Sequence, residues 1–227
     1  MKKFYQSLRK KLLTVPKIPG NYALLFLAVT HTAGAIGLNY EPTAQIFRQL
    51  TPLNLIMTTL VVLYYHREWN LKFLIFLVIT FLTGFFVELI GVETGFIFGS
   101  YHYGETLGPK LLDIPVIIGL NWVLLVYISG FVSRAFLHDL WLKVISGALL
   151  MVLLDILIEP TAIRFDYWQW ENKLVPIRNY FGWFVVSLPL HYLFQHNVIQ
   201  KTNRIAPQVY FIMLGFFFVL LLMKNFT

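Results

Sequence analysis

Long apolar runs separated by short polar segments constrain this chain more than any other feature. A helix crossing a bilayer needs about 20 consecutive, mostly apolar residues. The runs here predict seven helices: Tyr22–Asn39, Leu53–His66, Lys72–Val92, Ile114–Val132, Trp141–Ile158, Tyr180–His196 and Pro207–Met223. The second is short for a span and either begins before Pro52 or tilts. With 58% of its 227 residues hydrophobic and only 13% charged, the chain is not a soluble domain. The expected class is an all-α polytopic membrane protein: a basic segment at residues 1–20, then a single transmembrane helical domain at 21–227.

The net charge of +7 does not point to nucleic acid. Lys2, Lys3, Arg9, Lys10, Lys11 and Lys17 crowd the leader MKKFYQSLRKKLLTVPK. Its apolar part is too short for a signal-peptide core, and no small-residue cleavage site follows. A cytoplasmic tail lying on anionic lipid is the expected reading, which puts the N-terminus inside; the expected location is a bacterial or archaeal cytoplasmic membrane. Beyond the leader, basic residues divide evenly between the two sides, so the orientation rests on the leader. The chain has no cysteine, which excludes disulfides, thiolate catalysis and iron–sulfur clusters.

The acids are distributed unevenly. Of the 11, all but Glu68 and Asp139 fall on the side that follows the first, third and fifth helices, counting the adjoining helix ends. That asymmetry places a site at this end, whichever way up the protein lies. Glu88 falls inside the third predicted helix and Glu93 at its end, while Asp155 and Glu159 share one face of the fifth. A carboxylate at membrane depth costs about 2.5–3.5 kcal/mol on insertion scales, so it needs a partner or a task. Partners available nearby are Arg164, Arg178, Lys110 and His102. The task open to such a group is general acid catalysis, since low-dielectric surroundings favour the neutral acid.

The tetrapeptide EPTA occurs at Glu41–Ala44 and again at Glu159–Ala162, each read as the end of an odd-numbered helix. Glu93 is followed by Tyr101-His102-Tyr103, Pro115 and Trp122. Glu159 is followed by Trp168-Gln169-Trp170, Pro176 and Trp183. The shared order of helix, Glu, aromatic–X–aromatic, Pro, helix predicts repeated helical hairpins, with functional groups where the repeats meet. An aromatic interfacial belt accounts for the tryptophans. It accounts less well for Gly99–Gly104, where flanking glycines add conformational cost without anchoring.

His31 and His191 fall inside helices and offer the chemistry of haem ligation, but no two histidines sit at i, i+3 or i, i+4 on one helix. Hydrogen-bonded core histidines are the expected reading, and no metal is expected. Phosphate-binding glycine loops, Ser–His–Asp signatures and nucleic-acid motifs are all absent from the sequence.

The stretch ETGFIFGSYHYGETLGPKLLDIPVIIGLNW, from Glu93 to Trp122, resembles the signature of a membrane family of carotenoid biosynthesis proteins. That family includes hydratases acting on terminal double bonds of carotenoids. Asp155–Glu159, the following DYWQWEN and NYFGW, ending at Trp183, extend the resemblance. It implies a cofactor-independent carotenoid 1′,2′-hydratase with a lipophilic polyene substrate, the lipid bilayer as its setting, and other carotenoid biosynthesis enzymes as prospective partners. Protonating a trisubstituted double bond and capturing the tertiary cation with water needs a desolvated acid and aromatic faces. The candidate proton donors are Glu93 and Asp155 first, then Glu159 and Glu88. Tyr101, Tyr103, Trp122, Trp168 and Trp170 are expected to shape the pocket, with His102 orienting water. A cyclase of the lycopene cyclase type begins with the same protonation, so the residues do not separate it from a hydratase. A non-catalytic carotenoid, quinone or haem binder and a small transporter are the readings from other classes.

Overall fold

A computed structural model describes residues 18–198 and 202–223 of the chain. Most of the basic leader, and with it the orientation argument, lies outside the described residues. The described chain forms α1 (Gly20–Asn39), α2 (Glu41–Tyr64), α3 (Leu71–Thr94), α4 (Ile117–Phe136), α5 (Leu140–Arg164), α6 (Ile177–Asn197) and α7 (Ala206–Met223). Four short strands join them: β1 (Tyr101–Tyr103), β2 (Lys110–Leu111), β3 (Ile114–Pro115) and β4 (Trp168–Trp170). Six of the seven helices are long and apolar enough to cross a membrane. The other is α6, whose apolar character is interrupted by Arg178, Asn179, His191, Gln195 and His196.

Several element boundaries differ from the sequence expectation, each for a local reason. Only Tyr40 separates α1 from α2, which therefore starts at Glu41 rather than Leu53. Pro42 sits in the first turn, where a missing N–H costs nothing, and the helix continues through Pro52. Thr51 Oγ1 back-bonds to the Phe47 carbonyl at 3.2 Å in the turn that Pro52 disturbs. Helix α4 starts at Ile117, not Ile114, because Ile114 and Pro115 pair with Lys110 and Leu111. Helix α5 extends past Ile158 through Pro160 to Arg164. The two EPTA segments are consequently not equivalent: the first opens α2, whereas the second lies in the last turns of α5. The starts of α3 and α5 are fixed by side-chain caps, Asn70 Oδ1 accepting from Phe73 N at 3.0 Å and Asp139 Oδ1 from Leu142 N at 2.9 Å.

The centre of the bundle is α4. In its membrane window 78% of residues are buried within the protein, against 17–39% for the other spans. Those other helices present Leu25, Val29, Leu60, Val78 and Leu149 outward, which lipid covers at no cost. At the end opposite the acids, α4 is tied down by a buried polar network. Tyr127 Oη meets His66 Nδ1 at 2.9 Å and accepts from Asn203 Nδ2 at 2.9 Å, and Asn203 also donates to the Val62 carbonyl at 3.1 Å. His66 stacks on Phe73 with ring centroids 3.6 Å apart. Replacing Tyr127 by Phe withdraws a partner from two buried side chains and is expected to cost about 1–2 kcal/mol. Thermal unfolding in detergent checks this, and an unchanged midpoint would count against the network as a fastener.

Candidate functional site

Two aromatic–X–aromatic segments organise the acidic end. β1 and β4 pair antiparallel in the register Tyr101–Trp170, His102–Gln169 and Tyr103–Trp168. Backbone bonds from Gly104 N to the Tyr167 carbonyl (3.0 Å) and from Glu171 N to the Ser100 carbonyl (3.1 Å) extend the ladder at both ends. Because side chains alternate across a strand, Tyr101, Tyr103, Trp168 and Trp170 all turn to the buried face. His102 points the other way and is exposed, so the expected water-orienting histidine lies off the site.

Three carboxylates lie beneath this ribbon, each almost completely buried: Glu88 at 3% exposure, Asp155 at 1% and Glu159 at 2%. Glu88 Oε2 accepts from Tyr101 Oη at 2.5 Å and Tyr103 Oη at 2.9 Å, while Oε1 accepts from Trp122 Nε1 at 3.1 Å. Glu159 repeats the pattern. Its Oε2 accepts from Trp168 Nε1 at 3.0 Å and Trp170 Nε1 at 2.9 Å, and its Oε1 from Asn179 Nδ2 at 3.1 Å. In both halves a helix carboxylate takes two donors from the strand after it and a third from the next helix. The structural repeat therefore equates Glu88, not Glu93, with Glu159. The Trp122 and Trp183 rings, matched in the sequence repeat, stack on each other at 4.5 Å and 22° where the halves meet.

Asp155 is provided for differently. Asn179 Nδ2 donates to its Oδ2 at 2.9 Å as well as to Glu159, so one amide bridges the two acids. Asp155 Oδ1 is buried with no hydrogen-bond partner among the described residues. Burial, followed by the facing Glu88 carboxylate, holds the Tyr101 and Tyr103 hydroxyls well above the usual phenol range. Both remain neutral donors.

Helix α3 is shaped to admit its partners. Gly84, Glu88 and Gly91 lie on one face at i, i+4, i+7. A Cβ on Gly84 would come within 2.3 Å of the Trp122 ring, and one on Gly91 within 2.7 Å of Phe98 and 2.9 Å of Tyr101 Oη. Glu93 falls off this face and is exposed at the end of α3, outside the cluster. The structure thus gathers Glu88, Asp155, Glu159, Tyr101, Tyr103, Trp122, Trp168 and Trp170, and leaves out Glu93 and His102.

Two adjoining cavities meet at this cluster. A small chamber of about 20 Å³ is bounded by Glu88, Glu159, Tyr101, Tyr103, Asn179 and Trp183, among others. Next to it, a largely apolar cavity of about 270 Å³ runs between α1, α2, α4 and α7. Ile118, Asn121 and Trp168 line both. Asn121 and Asn179 fall inside the stretches that carry the family resemblance, but the letters do not state which groups their amides meet. Trp183 was legible there through the repeat and the NYFGW segment, though not as a wall of the chamber. Among the described residues no group of three or more His, Asp or Glu side chains is placed to hold a metal ion. Both nitrogens of His191 are engaged, Nε2 with Ser129 Oγ at 2.9 Å and Nδ1 with the Ser187 carbonyl at 2.9 Å.

Comparison with known proteins bears directly on this geometry. The profile of a family described as "Carotenoid biosynthesis protein" matches residues 50–227, a range that contains the whole cluster. A bisanhydrobacterioruberin hydratase from Haloarcula japonica is 32% identical over 139 residues, covering 53% of this chain and 45% of that protein. The chain thus spans less than half the length of this curated relative. No solved structure matches it.

The donors to Glu88 can be withdrawn one at a time. Tyr103→Phe and Trp122→Phe are each expected to cost about 1–3 kcal/mol, the range for leaving a buried acceptor short of a partner. The check is a lowered unfolding midpoint in detergent. Wild-type midpoints in both variants would show that these bonds do not hold the cluster together.

Proposed function

The chain belongs to the carotenoid biosynthesis protein family, and from that premise we propose that it hydrates the terminal C1′=C2′ double bond of an acyclic carotenoid end group. One observation carries the reading: a chamber walled by buried carboxylates and aromatic rings adjoins an apolar cavity inside a membrane protein, with Ile118, Asn121 and Trp168 lining both. The hydratase named among its relatives adds support. The apolar cavity between α1, α2 and α7 receives the hydrocarbon end, and the reacting double bond lies at the junction by Trp168.

The side chains divide the chemistry between them. Glu159 lines the chamber and is joined through Asn179 to Asp155, whose Oδ1 is engaged by no donor and has room for a proton. This pair delivers the proton. The alkene π pair takes it at C2′, leaving a tertiary cation at C1′. A water lone pair closes the new C–O bond, and the resulting oxonium returns a proton to the carboxylate pair. Substrate and water become a tertiary alcohol with the acid restored, and no electrons are exchanged. Glu88, which unlike Glu159 shares no bridging amide with a second acid, is the carboxylate left to face the cation. The Trp168, Trp170, Trp183 and Tyr101 rings offer π faces to the same charge.

The experiment is expression in a host that accumulates acyclic-ended carotenoids, followed by mass analysis of the pigments. The expected product is heavier than the substrate by one water. A new pigment of unchanged mass would replace hydration with ring closure, which begins with the same protonation. Glu159→Gln and Asp155→Asn are each expected to lower conversion by about 10²-fold or more, the usual range for a general acid. Glu93→Gln, altering a side chain outside the cluster, is expected to convert normally. The reverse pattern would return the donor role to Glu93.

A further inference from the structure

Hydration of a carbocation also requires that water, and nothing else, reach it. We propose that Asn121 is the positioning residue that holds the attacking water at the mouth of the chamber, and so directs the cation to an alcohol rather than back to an alkene. This inference rests on the hydratase reading above.

Three observations place Asn121 in that role. First, Ile117, Ile118, Asn121 and Leu124 form the face of α4 that lines the apolar cavity, and Asn121 is its one polar member. An amide on such a face is costly unless it has something to bind. Second, no described residue hydrogen-bonds the Asn121 side chain, whereas the other amide of the site, Asn179, is committed to Asp155 and Glu159. Third, Asn121 borders both cavities, so its amide lies where the chamber meets the hydrocarbon space.

The chamber has the dimensions for one water. A cavity needs about 10–15 Å³ and two to four polar partners to hold one. Here there are about 20 Å³, with Glu88, Glu159, Asn121 and Asn179 on the walls. The Asn121 amide can accept one hydrogen of that water or donate to its oxygen, leaving a lone pair directed toward the cavity. The carboxylates stand behind it to take the proton released when the C–O bond forms. Without the amide, protonation of the double bond continues. The cation is then discharged by losing a proton from a neighbouring carbon, which returns an alkene.

The test separates protonation from water capture. Purified wild-type protein and variants are incubated with an acyclic carotenoid in D2O, and pigments are analysed by mass for tertiary alcohol and for alkene bearing deuterium. For Asn121→Leu the ratio of alcohol to deuterated alkene is expected to fall at least tenfold, with total deuterium uptake retained. Asn121→Ser, which keeps a hydroxyl, is expected to give an intermediate ratio, and it decides the matter if the leucine variant does not fold. Glu159→Gln should lose alcohol and deuterium uptake together. A wild-type ratio in both Asn121 variants overturns the assignment while leaving the hydratase reading intact. Absence of both products from the wild-type protein overturns the hydratase reading itself.

Discussion

Burial of three carboxylates at membrane depth is the constraint around which the acidic half of this protein is arranged. Each acid would be prohibitively placed without donors. The donors that the structure supplies to them are neutral: two phenols, three indoles and one amide. Neutral donors satisfy a carboxylate without cancelling its charge, as a lysine or arginine would. The proposed proton transfer needs that difference, whereas stability alone would be better served by hydrocarbon.

The donors arrive through a two-stranded ribbon, an economical solution at a membrane edge. Pairing β1 with β4 satisfies both backbones locally, and strand alternation then directs four aromatic side chains into the protein. Trp122 and Asn179 complete the two halves from α4 and α6. The same ribbon ties α3–α4 to α5–α6, so the hairpins are joined at the point where the carboxylates lie. The Trp122–Trp183 stack marks where the two hairpins meet.

Much of this was legible in the chain, and the exceptions are instructive. Hydropathy identified the helices, and the aromatic–X–aromatic segments located both strands, although they read as pocket wall rather than as a pair. Glu93 lies outside the cluster for a reason of helix geometry. Five residues beyond Glu88 is a rotation of about 140° around the helix, away from the face marked by Gly84 and Gly91. His102 lies outside the cluster by strand alternation, since it sits between two inward-facing tyrosines. The EPTA repeat misled because identical letters opened one helix and closed another. Pairing partners such as Asn179 depend on which helices become neighbours, which no local pattern states.

The sequence separation within the Glu88 cluster bears on how the protein is made. Tyr101 and Tyr103 lie 13 and 15 residues after Glu88, and Trp122 lies 34 after it. During synthesis, Glu88 therefore emerges from the ribosome ahead of all three of its donors. Until Tyr101, Tyr103 and Trp122 follow, the Glu88 carboxyl lacks the donors that the folded protein gives it. The order of residues along the chain is then part of its biogenesis as well as its architecture.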